Sequence, residues 1–327
     1  MSLVRAESRR LVKRRFTKLL VAGALALLAV VAVSIFLSNE KVTPAQVTAA
    51  RAQAGRDYQE SVASVTAEKQ KCVTEGGTDC DTYYIPQPED FDYTWYMPPT
   101  FDLRSQFGNM ITTFAAILAA VAFLIGASFA GAEWSSGAMM NLLLWRPQRI
   151  RVLGSKLVVF LFWLTGLTLL LAALWTGAFR LIAETHGSTD GMTPGVWRSF
   201  GLTGLRGLAV VLVSGLLGFT LASIGRHTAM ALGALIGLGA LQVGAFVVAT
   251  VAELQFPGVY MAPYWLWAWM YQDFTLKDYA SCDYSASSGC EPAQFVMTWQ
   301  TSGLMLAGVA VVATGVAMWT MRRRDIT

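Results

Sequence analysis

The sequence contains four cysteines, and they form two closely spaced pairs. Cys72 and Cys80 enclose the segment CVTEGGTDC, and Cys282 and Cys290 enclose CDYSASSGC. Thiols at these positions could form disulfides or bind zinc. Seven residues separate the members of each pair, which does not fit the short spacing of zinc ligands, and no histidine is close in sequence. Of the three possible disulfide pairings, two local bridges are favoured, because glycines and serines provide a turn inside each loop.

Charged groups are also concentrated in residues 131–156, GAEWSSGAMMNLLLWRPQRIRVLGSK. The segment has one carboxylate, Glu133, among four basic residues: Arg146, Arg149, Arg151 and Lys156. Its last residues, LGSK, lack the leading glycine of the phosphate-binding pattern G-x-x-x-x-G-K-[ST], and no other segment matches that pattern. The chain is therefore predicted not to be an enzyme that hydrolyses ATP through this loop, and to bind no cofactor itself.

The elements that must position these residues are apolar helices. Of the 327 residues, 54% are hydrophobic and 14% are charged, whereas soluble domains have about 25% charged residues. A helix needs about 20 mainly apolar residues to cross the ~30 Å hydrocarbon core of a membrane. Six segments meet this requirement: 19–37, 110–130, 157–182, 207–224, 229–251 and 299–321. The predicted fold class is an all-α integral membrane protein with six transmembrane helices, of which the first is a retained anchor.

The distribution of Lys and Arg predicts the orientation, since basic residues accumulate on the cytoplasmic side. Residues 1–18 contain seven of them, residues 131–156 contain four, the turn 225–228 contains Arg226, and the tail 322–327 contains three. Both termini are therefore predicted to be cytoplasmic in a multi-pass protein of the cell (plasma) membrane. The outer connections are then 38–109, 183–206 and 252–298. This topology and anionic lipid headgroups explain the net charge of +4, so membrane lipid is an expected partner and nucleic acid is not.

The same topology separates the remaining candidate metal ligands. All four cysteines fall in outer connections, where disulfides persist. His186 is predicted outside and His227 inside, so the two histidines cannot form one metal site. Each is expected to be an ordinary surface histidine, and no metal site is predicted.

The first outer connection, 38–109, is too long for a simple link and is predicted to contain its own structure. Thr43 is a candidate N-cap, with Pro44 at the first helical position. The apolar residues that then recur every three or four positions, as in a helix, are Val47, Ala50, Ala54, Tyr58, Val62 and Val65. After Cys80, the stretch DTYYIPQPEDFDYTWYMPPTFD is expected to be irregular and packed on the membrane surface, as an ordered loop or a ligand site.

The last outer connection contains the apolar stretch FPGVYMAPYWLWAWMYQDF at 256–274, whose two prolines make a full span doubtful. Its aromatic residues suit the boundary between headgroups and hydrocarbon. The stretch is predicted to be an interfacial anchor or a re-entrant segment that other spans cover. In the second case its aromatic residues are candidates for an outer gate that contacts a substrate. These residues are Tyr264, Trp265, Trp267 and Trp269.

Residues 131–156 are predicted to contain a short cytoplasmic helix. Ser135 or Ser136 is a candidate cap, and Pro147 predicts that the helix ends just before it. The apolar residues on one side of this helix are Met139, Leu142 and Leu143. The membrane surface, the rest of the protein or a groove on a soluble partner could bury this side, and periodicity alone does not separate the three.

The same residues follow a recognisable order: a Gly-x-Glu, a turn of small residues, a Leu-rich stretch, a Pro with a following Arg, and a Lys that opens the third span. The residues concerned are Gly131, Glu133, Gly137, Leu142, Leu143, Pro147, Arg149 and Lys156. This order resembles that of ABC transporter permeases of the type-2 export family. The layout of six spans with both ends inside extends the resemblance over the rest of the chain.

The resemblance implies that residues 131–156 form a coupling helix, which docks into a cleft of a cytoplasmic ATP-binding subunit. ATP and Mg would be bound in that subunit. A second copy of the permease, or a homologous permease, would complete a dimer. Residues 1–18 would supply the amphipathic interfacial helix of the family, and 256–274 would match its short re-entrant helices. The long first outer connection with its disulfide departs from many members.

The predicted function is the membrane-spanning subunit of an ATP-driven exporter of a hydrophobic or amphipathic cargo, such as a drug, a lipid or a peptide. Leu142 and Leu143 would form the docking face, with Glu133 and Arg149 supporting it. Glu133 could instead be only a carboxylate at the membrane edge, favoured by a helix N-terminus. The alternative function is a membrane sensor or scaffold, whose outer connection binds a ligand and which has no ATPase partner.

Overall fold

A computed structural model of the chain describes residues 3–77, 79–145, 148–279 and 291–323, with the backbone alone at 3–7 and 142–145. The helices are α1 (Leu3–Lys13), α2 (Arg15–Ser38), α3 (Pro44–Thr74), α4 (Leu103–Ser135), α5 (Ala138–Trp145), α6 (Arg149–His186), α7 (Pro194–Gly225), α8 (Thr228–Val251), α9 (Ala262–Tyr271) and α10 (Trp299–Arg323). The strands are β1 (Phe101–Asp102), β2 (Gly187–Ser188), β3 (Asp273–Asp278) and β4 (Ala293–Thr298).

Six helices in the described ranges are long and apolar enough to cross a membrane: α2, α4, α6, α7, α8 and α10. Each predicted span lies within one of these helices. The prediction of a helical, multi-pass membrane protein is thus confirmed at this level. The shortest of the six has 24 residues, which at 1.5 Å per residue is about 36 Å and exceeds the hydrocarbon thickness.

The chain divides into two compact units. The first comprises Met1–Val30, Phe107–Gly177 and Thr193–Thr327, and the second comprises Val31–Gln106 and Ala178–Met192. Each unit has its own packing.

The core of the first unit is formed by α4, α6 and α7. Of the most apolar 18 residues in each helix, 50% are buried in α4, 33% in α6 and 44% in α7, against 6% in α8. The Ser214 hydroxyl of α7 donates a hydrogen bond to the Ala119 carbonyl of α4 (2.8 Å). The Trp175 indole of α6 donates to the Met110 carbonyl of α4 (3.1 Å). Because most of the α8 surface is apolar and exposed, that surface suits contact with lipid.

The second unit is built on α3, whose start follows the prediction. The Thr43 hydroxyl accepts a hydrogen bond from the Gln46 amide, and the Gln46 side chain accepts one from the Thr43 amide, which completes a capping box. Pro44 occupies the first helical position. Ala50 and Ala54, both on the predicted apolar side, are buried. The prediction of a helix that begins at Thr43 is therefore confirmed.

Residues after α3 fold back along this helix. A disulfide joins Cys72 to Cys80, which confirms the first local bridge, whereas Cys282 and Cys290 lie outside the described residues. The predicted irregular stretch packs against α3: the Arg51 guanidinium lies 4.8 Å from the centre of the Tyr93 ring. α3 thus offers the aromatic residues of this stretch a partner within the protein, and their expected position on the membrane surface stays a prediction.

Within that stretch, one carboxyl group is held by local hydrogen bonds. The Gln87 amide (2.7 Å) and the Tyr84 hydroxyl (2.7 Å) both donate to Asp90. These bonds, first that from the Gln87 amide and then that from Tyr84, lower the pKa of the Asp90 carboxyl. The same contact with Asp90 raises the pKa of the Tyr84 hydroxyl.

The predicted outer loop 183–206 is mostly helical, which corrects the sequence-based boundaries. The helix α6 continues to His186, and α7 begins at Pro194, where the Thr193 hydroxyl accepts a hydrogen bond from the Val196 amide. The predicted spans covered only the apolar runs, whereas α6 and α7 extend into the polar residues beside them. In α6, Arg180 and Glu184 form an ion pair one helical turn apart (2.9 Å).

A β-hairpin adds strands that the all-α prediction did not contain. Strands β3 and β4 are antiparallel, with Asp273 opposite Thr298 and Asp278 opposite Ala293. β1 and β2 form a further, parallel pair of two residues each. Alternation of apolar and polar residues over six positions or fewer is a weak signal beside the long apolar runs of the spans. The sequence therefore did not predict the hairpin.

Candidate functional site

The turn between α4 and α5 is made by Gly137 and not by a serine cap. Gly137 has a φ of +73°, a left-handed conformation that strains side chains other than glycine. The Ser135 and Ser136 hydroxyls donate back to the Ala132 carbonyl (3.2 Å) and the Glu133 carbonyl (3.4 Å) of α4. The predicted serine cap is therefore wrong, because both hydroxyls bond to the last turn of the preceding helix.

The helix α5 begins immediately after this turn, as a short helix of 8 residues. Met139 is 1% exposed, so its side chain packs inside this chain and does not face outward. Leu142 and Leu143 belong to α5, but only their backbone is described. Pro147 lies outside the described residues. The described part of this helix runs to Trp145, and its predicted end before Pro147 stays a prediction.

Glu133 of α4 and Lys156 of α6 form a buried ion pair beside α5. The Lys156 Nζ atom lies 2.6 Å from the Glu133 Oε2 atom, and the two side chains are 2% and 13% exposed, respectively. Charges in such an environment need a close partner of opposite sign, because desolvation is costly. The two residues were predicted separately as coupling residues, and the structure brings them together. The pair connects the two helices that α5 links in sequence.

Aromatic rings continue this contact toward the middle of the helices. The Phe129 ring of α4, the Phe160 ring of α6 and the Phe219 ring of α7 lie with their centres 6.1 to 6.2 Å apart. The Lys156 Nζ atom is 5.7 Å from the centre of the Phe129 ring. Such a contact between a cation and a ring is worth about 0.5–2 kcal/mol, depending on its desolvation. We call Phe129, Glu133, Lys156, Phe160 and Phe219 the closed end of the α4–α6–α7 bundle.

The Arg14 side chain, between α1 and α2, contacts α4 at the closed end. Its guanidinium donates to the Ser128 carbonyl (3.2 Å) and the Phe129 carbonyl (3.3 Å) of α4. From the sequence, Arg14 was expected only to contribute to the basic charge of the cytoplasmic side. No local pattern could have identified this role, since Arg14 and Phe129 lie 115 positions apart.

Gly131 marks a close approach between α4 and the beginning of α8. A Cβ at Gly131 would collide with the backbone of Thr228, so a larger residue does not fit. In the turn before α8, the Arg226 guanidinium lies 5.0 Å from the centre of the Trp134 ring. The His227 Nδ1 atom accepts a hydrogen bond from the Ala229 amide (3.1 Å) and caps α8. His227 is therefore a capping residue and not merely a surface histidine.

Arg149 lies at the start of α6. Together with Arg151 and Arg322 it lines an open depression of ≈ 640 Å³. The Arg151 guanidinium donates to the Gln148 side chain (2.7 Å). The depression is basic, and its cations suit an acidic surface or anionic headgroups.

The predicted gate residues lie in and around α9, a helix of 10 residues that at about 15 Å is too short to span. Trp265 donates to the Val259 carbonyl (2.8 Å), and Trp269 donates to the Arg206 carbonyl of α7 (2.9 Å). The Tyr264 ring stacks on Phe274. Trp267 is 50% exposed, yet its ring stacks on Tyr271 (ring centres 4.8 Å apart) and lies edge-on to Phe274 (6.5 Å). All four gate candidates are thus held by contacts within the protein, and Trp267 is the most exposed of them.

Within the described ranges, no group of three or more His, Cys, Asp or Glu residues has the arrangement of a metal site. No protein-family model matches the chain, and no curated protein matches it in sequence.

Proposed function

We propose that this chain is the membrane-spanning subunit of an ATP-driven exporter of the ABC type, with its termini and α5 in the cytoplasm. A separate cytoplasmic ATP-binding subunit, which holds ATP and Mg, supplies the energy. A second permease, identical or homologous, completes the translocation path. ATP-driven closure of the partner subunits pushes on α5, and hydrolysis releases it.

The observation that carries this proposal is the buried Glu133–Lys156 ion pair beside α5. The helix α5 follows α4 and precedes α6, and the ion pair holds those two helices together at this end. A force on α5 would therefore move both spanning helices as one body. Transmission of this kind needs rigid elements in contact, and a flexible connection would absorb the displacement.

Two further features support the proposal. The chain carries the ordered residues of the type-2 exporter pattern around α5, from Gly131 to Lys156. Met139 packs inside the chain and anchors the first turn of α5, which leaves the second turn, with Leu142 and Leu143, as the part that a partner cleft would cover. The cargo is proposed to have a large apolar surface, since none of the predicted spans has a charged residue in its central part.

Copurified ATPase activity tests this proposal. The tagged chain is purified in mild detergent with the soluble proteins of its own cell present, and vanadate-sensitive ATP hydrolysis is measured in the eluate. The unmodified chain is expected to retain this activity. The double variant Leu142→Asp/Leu143→Asp is expected to lose at least about 90% of it, a tenfold drop that corresponds to roughly 1.4 kcal/mol of docking energy.

The control is the double variant Asn141→Asp/Gln148→Glu, which adds the same charge at two exposed polar positions that flank the leucines. It should keep the ATPase activity. An eluate of well-folded, unmodified chain without any vanadate-sensitive activity contradicts the exporter and favours a membrane sensor or scaffold. Equal losses in both double variants contradict the assignment of the docking face to the leucines.

A further inference from the structure

A cavity lies between α4, α6 and α7, toward the ends of these helices that are remote from α5. Its volume is ≈ 430 Å³, which falls in the range of about 300–1,000 Å³ that small-molecule sites occupy. All the residues that line it belong to the first unit. The closed end, by contrast, has its space filled by phenylalanine rings.

Aromatic rings form much of the cavity wall. Phe200 of α7 packs edge-on against Phe107 of α4 and against Trp197, with ring centres 5.2 and 6.1 Å apart. Phe114 lies 5.8 Å from Trp175, whose indole is held by its hydrogen bond to the Met110 carbonyl. Flat rings that are fixed in this way favour offset or edge-to-face contacts with another aromatic ring.

One polar group of the wall is left without a partner. Thr168 of α6 is 3% exposed, and its hydroxyl makes no hydrogen bond. Thr165, three residues earlier on the same helix, shows the usual arrangement, in which the hydroxyl donates to the carbonyl four residues before it (2.8 Å). Because a buried hydroxyl without a partner is unfavourable, a ligand that accepts its hydrogen bond would be stabilised at this site.

The cavity opens on the side of the helix bundle. Leu169 and Leu205 line it, yet they are 53% and 60% exposed. These leucines lie on spanning helices, whose apolar exterior suits the hydrocarbon of a membrane. An apolar ligand would therefore enter sideways from the membrane and would not have to cross water.

We propose that this cavity binds an aromatic molecule with a single hydrogen-bond acceptor. The fixed rings contact its faces and edges, and the Thr168 hydroxyl donates to the acceptor. The site requires no ATP-binding partner, so binding can be measured on the chain alone. Failure of the exporter proposal would leave this site in place.

Photolabelling with benzophenone tests the site, because this molecule has two aromatic rings and one carbonyl acceptor. The chain is reconstituted in nanodiscs of phosphatidylcholine and irradiated, and the adducts are located by mass spectrometry. Saturable labelling of the peptides around Thr168, Trp175 and Phe200 is expected. Fluorenone should displace the label at a concentration roughly tenfold lower than fluorene, which has the same shape without the carbonyl. The variant Thr168→Val should abolish this difference.

A cavity-filling variant gives an independent check. Gly204 lines the cavity, and a Cβ built there meets no atom within 4 Å, so Gly204→Leu would place its side chain in the empty space without a backbone clash. Saturable labelling should fall roughly tenfold. The matched control is Gly177→Leu on α6, where a Cβ also meets no atom within 4 Å and which does not line the cavity.

Two results would overturn the proposal. One is labelling that does not saturate and spreads over all exposed helices, as expected if benzophenone only dissolves in the lipid. The other is saturable labelling that is unchanged in Gly204→Leu. Equal displacement by fluorenone and fluorene in the unmodified chain would contradict the role of the Thr168 hydroxyl.

Discussion

Near α5, side chains fill the space between α4, α6 and α7, whereas toward the other ends of these helices a cavity of ≈ 430 Å³ remains. Glycines lie at both places, with opposite effects. A Cβ at Gly126 of α4 would collide with the backbone of Gly215, and one at Gly218 of α7 would collide with the backbone of Phe123. At the cavity, Cβ atoms at Gly201 and Gly204 would meet nothing within 4 Å.

The difference shows that glycine content alone does not indicate how tightly helices pack. At Gly126 and Gly218, the absence of a side chain lets the backbones of α4 and α7 touch, as small residues do in many membrane helices. Around the cavity, Gly201 and Gly204 leave space that no neighbour fills, whereas a Cβ at Gly207 would lie 3.0 Å from the Ala115 side chain. The bundle is therefore tightly packed at one part and open at another.

The largest effect is expected from breaking the ion pair of the closed end. Lys156→Met leaves the Glu133 carboxylate without its cation, and removal of one partner of a buried pair costs about 3–5 kcal/mol. Glu133→Leu combined with Lys156→Met removes both charges and should recover most of this loss. The free energy of unfolding in mild detergent measures both variants. A loss below about 1 kcal/mol for Lys156→Met, as for a surface ion pair, would contradict the importance of the pair.

A smaller effect is expected from forcing the α4 and α7 backbones apart. Gly218→Ala places a methyl group against the Phe123 carbonyl, and overpacking of this kind costs about 1–3 kcal/mol, from which the higher helix propensity of alanine recovers up to about 1 kcal/mol. The unfolding free energy should therefore fall, by up to roughly 2 kcal/mol. A rise of about 1 kcal/mol, which the propensity of alanine alone would give, would show that the two helices can separate at no cost.

The smallest effect, and one of opposite sign, is expected at the cavity. In Gly204→Ala the new methyl group contacts no neighbour. The higher helix propensity of alanine is then the only effect, and it should raise the free energy of unfolding by up to about 1 kcal/mol. The comparison with Gly218→Ala holds the chemical change constant, since both glycines belong to α7. If the two variants shifted stability in the same direction, the contrast between the two parts of the bundle would be wrong.

Local signals predicted much of the fold. The six spans follow from the length of their apolar runs, and the start of α3 follows from Thr43 and Pro44, whose effects act within one helical turn. The Cys72–Cys80 bridge follows from a loop of seven residues. In each case the residues that determine the structure are neighbours in sequence.

The site depends on contacts between distant residues, and these were not predicted. Glu133 and Lys156 could be selected as candidates, but periodicity gives no information on their pairing across 23 positions. The cavity could not be predicted from the sequence either, because its shape depends on how α4, α6 and α7 cross. The serine cap failed for a local reason, since a left-handed Gly137 competes with a hydroxyl for the same turn.

Arg14 sets a limit on how the chain can be shortened for expression. Its two hydrogen bonds to α4 carbonyls belong to a segment that, by sequence alone, looks like a dispensable basic extension. Trimming the chain at Arg15 would keep all six spanning helices and their apolar length but would remove the guanidinium beside the Phe129 ring. A shortened chain should therefore begin no later than α1, and a fusion tag is better placed ahead of that helix than in exchange for it.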